Sequence, residues 1–111
     1  DAPQTNAGFC FDGVSWQARL QTLIQESEQA GNQYVLIGAG GYGPILASEL
    51  SKRGFTSVVI GGGLQLLFGI YGRRWHQRED FQPLFNDQWV WPLDEDIPQG
   101  HGLVENSCYW K

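Results

Sequence analysis

The chain reads as an α/β protein: a Rossmann-like βαβ core with parallel strands, followed by an irregular, aromatic-rich C-terminal tail. Three observations predict this. Two short apolar runs, Tyr34–Ile37 and Ser57–Ile60, each lead into a glycine loop. A helical pattern lies between them, and after Gly72 periodicity gives way to tryptophans and prolines. The order strand, glycine loop, helix, strand, glycine loop, helix is that of a βαβ unit, whose crossover is right-handed in nearly all parallel sheets.

Taken in order, the first dozen residues are polar apart from Phe9-Cys10-Phe11, a short strand or a hydrophobic plug. Between Val14 and Ala30, Trp16, Leu20, Leu23 and Ile24 recur at three- and four-residue spacing, and Gly31-Asn32 supplies a stop. That pattern predicts an amphipathic helix. Tyr34–Ile37 reads as a fully buried strand ending at Gly38-Ala39-Gly40-Gly41-Tyr42-Gly43. Pro44 suits a first helical turn, where a missing N–H costs nothing, and the helix runs through Leu46 and Leu50 to Arg53 before Gly54. The second buried strand, Ser57–Ile60, enters Gly61-Gly62-Gly63, and Leu64–Phe68 predicts a short helix closed by Gly69. The aromatics from Phe81 to Trp110 make the tail too apolar to be a linker, and Leu103-Val104 is expected to add an extended segment. Two strands alone do not make a stable parallel sheet, so further strands are expected either from Phe9–Phe11 and the tail or from another polypeptide, as a homo-oligomer or a missing N-terminal half.

At 111 residues the chain fits a single Rossmann-like domain spanning 1–111. Seven Lys and Arg against 12 Asp and Glu leave a net charge of −5, which argues against a nucleic-acid partner. No apolar run approaches the roughly 20 residues of a membrane span. The expectation is a cytoplasmic chain with Cys10 and Cys108 reduced, the alternative being a disulfide that ties the two ends together. Its start at Asp1-Ala2-Pro3 and its lack of Met point to a trimmed or partial chain, a fragment of a larger protein.

Gly38-x-Gly40-x-x-Gly43 has the spacing of a dinucleotide-binding loop, in which bare glycines let a ligand approach backbone N–H groups. The acidic residue that should follow about 20 positions on is missing, because the second strand ends Ile60-Gly61-Gly62, which disfavours NAD or FAD. The open readings are tight strand–helix packing or a phosphorylated ligand held differently. In a parallel sheet both glycine loops fall at the carboxyl edge, so Gly38, Gly40, Gly41, Gly43, Gly61, Gly62 and Gly63 form one candidate surface. Gln65 is a candidate to present an amide to the ligand. Arg73 and Arg74 are candidates to meet phosphate charge, the plainer alternative being pairing with Glu79, Asp80, Asp87 or the Asp94-Glu95-Asp96 run. No cofactor is specified. His76 and His101 are too isolated for a metal site, no Gly-x-Ser-x-Gly elbow is present, and the spacing of the carboxylates selects no general base.

The segments Ile37–Gly43, Ile60–Ile70 and Gly72-Arg73-Arg74-Trp75, with Trp89-Val90-Trp91-Pro92 and the closing Glu105-x-x-Cys108-Tyr109-Trp110, form one combined pattern. It resembles the carboxyl-terminal part of a group of largely uncharacterised bacterial proteins of a kind found near surface-polysaccharide genes, over about Val14 to Trp110. Its layout is also similar to the last βαβ unit of GT-D-fold glycosyltransferases. That resemblance implies a nucleotide-sugar donor and a metal-associated acidic motif upstream of this region. The expected function is therefore a glycosyltransferase-like domain that binds a nucleotide sugar or other phosphorylated ligand. The alternative is a non-catalytic, homo-oligomeric assembly module.

Overall fold

The structure, a computed structural model, describes residues 14–98 and 100–111. Phe9–Phe11 and Cys10 lie outside them. The described chain is a mixed α/β protein whose residues 14–64 and 65–111 belong to two compact units.

Unit 1 begins with helix α1 (Trp16–Gln29), capped by Ser15, whose side chain accepts the N–H of Ala18 at 3.2 Å. Its apolar stripe buries Leu20 and Ile24, while Trp16 at the open end stays half exposed. Strand β1 (Tyr34–Ile37) follows, then a 3-10 turn at Gly40–Tyr42 that winds into helix α2 (Gly43–Lys52). Strand β2 (Thr56–Val59) lies parallel to β1, pairing Tyr34 with Thr56, Leu36 with Val58 and Ile37 with Val59. The core gathers Leu20, Ile24, Ile37, Tyr42, Leu46 and Leu50. Leu50 is completely buried.

Three expectations need correction. The strands are not buried on both faces: Tyr34 is 77% exposed, Leu36 48% and Val58 52%. Val35 and Ile37 instead pack with the buried residues of α1 and α2. Alternation sends successive side chains to opposite faces, so the helices cover only one of them. Nor is a full Rossmann sheet present among the described residues, where the sheet has two strands. Leu103 does not extend, because its N–H bonds to the Gly100 carbonyl and it closes the 3-10 turn His101–Leu103; Val104 alone takes extended geometry, φ −99° and ψ 98°, before the next turn.

A 3-10 turn at Gly61–Gly63 leads into α3 (Leu64–Leu67), within which the boundary between the units falls. Unit 2 contains the short helix α4 (Arg73–His76), a series of 3-10 turns, and an isolated bridge between Ile70 and Val90. Its core is aromatic. Tyr71 packs against His76, Phe85, Trp89 and Trp91 at centroid distances of 5.1–5.4 Å. All four pairs are edge-to-face or tilted, as the ring quadrupoles prefer. Gly69, with φ +66°, lies 3.8 Å from the Trp89 ring when a Cβ is built on it.

Candidate functional site

The two glycine loops of unit 1 are corners of the same kind. Each strand ends, passes a left-handed glycine (Gly40, φ +50°; Gly61, φ +65°), makes one 3-10 turn and starts a helix. Glycine is suited to both positions because a Cβ would strain the left-handed backbone. The corners touch. A Cβ on Gly38 would stand 2.9 Å from the Gly61 carbonyl oxygen and 2.9 Å from Leu64 Cδ2, closer than folded chains tolerate.

The seven glycines thus divide by role. Gly38 lets the two corners meet, and Gly43 lets the start of α2 approach β2, since a Cβ there would lie 2.9 Å from Val59 Cγ1. At Gly63 a Cβ would meet Ile60 Cγ2 at 3.1 Å. Gly40, Gly41 and Gly61 face open space, with nothing within 4 Å of where a Cβ would stand. Gly62 lies half-buried within the second turn. Packing and an open glycine surface, set against each other in the sequence, coexist at different positions. At the start of α2 the Gly43 N–H is taken by the Gly40 carbonyl, that of Tyr42 by the Ala39 carbonyl, and Pro44 has none, while the helix dipole adds positive charge there.

The other candidates belong to unit 2, where each has an internal partner. Gln65 Nε2 donates to the Tyr109 carbonyl at 2.9 Å, and its Oε1 is buried without a hydrogen bond. The Arg73 guanidinium donates to the Asn106 carbonyl, and that of Arg74 to the Glu105 carboxylate and, at 2.9 Å, to the Tyr109 hydroxyl. The backbone N–H groups of Arg73 and Arg74 donate to the carbonyls of Trp110 and Cys108 at 3.2 and 2.8 Å. Together these groups hold the C-terminal segment against the start of α4. The acidic partner of Arg74 is thus Glu105, while Arg78 pairs with Asp80 and Lys111 with Asp94. Cys108 is a free thiol. Burial and a hydrogen bond to Glu105 push its pKa up, so it stays protonated at neutral pH. Burial likewise raises the Tyr109 hydroxyl.

One pairing had no signal in the sequence beyond two polar residues six positions apart: His101 Nδ1 lies 2.5 Å from the hydroxyl of Ser107. Ser107 is buried, and it ends a run of three non-glycine residues in left-handed conformation, Glu105, Asn106 and Ser107.

Away from the corners, unit 1 carries a shallow cavity of about 220 Å³ lined by Gly31, Asn32, Gln33, Arg53, Gly54 and Phe55. Arg53 is already paired with Glu28 and Glu49. Among the described residues, no three His, Cys, Asp or Glu side chains gather as metal ligands, and no helix is long and apolar enough to cross a membrane.

The fold is a small α/β arrangement with a two-stranded parallel sheet and paired glycine corners. Comparison with protein-family models, curated proteins and solved structures finds no match to this chain.

Proposed function

We propose that this chain is the ligand-binding part of a glycosyltransferase-like protein and holds a nucleotide sugar, or another phosphorylated small molecule, at the glycine corners of unit 1. The observation that supports this reading is the continuity of the two corners. Gly38 abuts the Gly61 carbonyl, while Gly40, Gly41 and Gly61 remain open around them. Backbone approach of this kind, next to a helix start, favours phosphate oxygens. In this reading the N–H groups of the corners meet the phosphate.

Calorimetric titration of the full-length protein with UDP-, GDP- and CMP-sugars tests the proposal. Binding of one donor is expected, and Gly41→Glu, which places a carboxylate in open space, is expected to abolish it at unchanged melting temperature. Silence toward every donor, or binding unaltered by Gly41→Glu, refutes the reading.

The bare sheet face favours a second reading, an assembly module. Leu36 and Val58 are cross-strand neighbours, half exposed beside Tyr34, and parallel sheets are ordinarily covered on both sides. A second copy packed on this face would produce an oligomer at micromolar concentration that Leu36→Lys disperses, as sedimentation would register.

A further inference from the structure

Unit 2 contains a group of residues independent of the glycine corners. His101 and Ser107 sit on two successive 3-10 turns, His101–Leu103 and Glu105–Ser107. These turns place the imidazole Nδ1 2.5 Å from the Ser107 oxygen. That is hydrogen-bond reach for a base and the hydroxyl it would deprotonate. The ring of His101 is half-buried and lies edge-on to Trp110, with centroids 6.1 Å apart and planes at 74°.

The backbone around Ser107 is costly to build. Glu105, Asn106 and Ser107 have φ of +45°, +53° and +64°. A left-handed non-glycine residue is strained and persists only where surrounding contacts impose it. The contacts here are explicit: Arg73 holds the Asn106 carbonyl, Arg74 holds the Glu105 carboxylate, and the N–H groups of Arg73 and Arg74 hold the carbonyls of Trp110 and Cys108. Immediately after Ser107 the chain returns to right-handed geometry, with φ −67° and ψ −15° at Cys108. A left-handed residue followed by a right-handed one turns successive N–H groups toward one side and makes a concavity for negative charge. Here those groups include the N–H of Cys108 and of Tyr109. A hydroxyl, a base and an anion-receiving turn therefore converge at one residue.

We propose that Ser107 and His101 form the nucleophile and general base of an esterase site for short acyl esters. Ser107 Oγ attacks the ester carbonyl carbon as its proton passes to His101 Nδ1, and the negative charge gathers on the carbonyl oxygen beside the N–H groups of Cys108 and Tyr109. Collapse breaks the bond to the alcohol oxygen, which leaves with the proton from His101. Water then attacks the acyl-serine, giving its proton to His101. The carboxylic acid departs as that proton returns to Ser107. A short acyl group is required because Ser107 is only 4% exposed and Trp110 beside the base only 6%.

The full chain, treated with a small fluorophosphonate and mapped by peptide mass spectrometry, provides the test. The expected result is an adduct on Ser107. His101→Gln is expected to slow labelling at least ~100-fold. Ser107→Ala should remove the adduct and the hydrolysis of 4-nitrophenyl acetate. The decisive readout is on the unaltered protein, so a variant that fails to fold does not obscure it. Absence of an adduct on Ser107 in the folded chain overturns the proposal, as does labelling that ignores the loss of the imidazole in a folded His101→Gln protein.

Discussion

The two units of this chain keep their shape by different means. Unit 1 relies on repetition: a strand ladder, helices with apolar stripes and an aliphatic core centred on Leu50 and Ile24. Among the described residues, unit 2 has a single isolated bridge, and α4 with four residues. It relies on rings packed around Tyr71 and on side chains that bond to main-chain carbonyls, those of Gln65 and Arg73 among them. Regular structure satisfies backbone groups locally and leaves side chains free for burial or function. Where it is missing, side chains must satisfy the backbone themselves, and that is how two candidate ligand residues of unit 2 are occupied.

The sharpest way to break this contrast is to remove one anchor from each unit. Leu50→Ala empties a fully buried site and is expected to cost about 2–5 kcal/mol. Tyr71→Ala removes a half-buried ring with several aromatic partners and should cost less, about 2–3 kcal/mol. Urea unfolding followed by far-ultraviolet circular dichroism measures both. A larger loss at Tyr71 would make the aromatic unit the dominant core.

Within unit 1, the division of the glycines can be tested directly. Gly38→Ala must push against a backbone carbonyl and is expected to cost about 1–3 kcal/mol. Gly41→Ala enters open space and should stay within about 0.5 kcal/mol. Equal melting temperatures for the two variants would show that the corners do not meet as described.

The smallest effect is electrostatic. Hydrogen bonds from Lys52 and Arg53 hold Glu49 below its ordinary 4.5. In unit 2, Arg78 holds Asp80 and Lys111 holds Asp94 below 3.8. A carboxylate with a lowered folded pKa stabilises the chain above its unfolded value and loses that contribution as pH falls through the folded one. Stability should therefore decline below about pH 4.5, and only slightly, because these pairs are solvent-exposed. Urea midpoints between about pH 5 and 2 should lose part of this slope in Asp80→Asn and Asp94→Asn, and another part in Glu49→Gln. An unchanged slope would remove these pairs from the account.

Much of unit 1 was legible from local chemistry. β1 spans the same four residues in sequence and structure, and β2 is displaced by one. The glycine corners and the short α3 fall where the glycines predicted them, because each is a property of a few adjacent residues. Burial of the strands was misjudged for a definite reason: an apolar run marks a strand but does not say whether one face or both are covered. In unit 2 the aromatic content foretold a packed tail. It did not foretell that Arg74 would choose Glu105 over nearer carboxylates, or that His101 would meet Ser107.

The sequence by itself determined where strands start and stop, where the backbone turns through glycine, and which stretch must bury aromatic rings. These follow from steric limits and apolar spacing over short distances. Only the tertiary structure decided that Gly38 rests on the Gly61 carbonyl, that Gln65 and Arg73 bond to the closing segment, and that a strained serine faces an imidazole. Most of these contacts join residues far apart in the chain, and the nearest depends on how the backbone winds, so the three-dimensional path selects the partners.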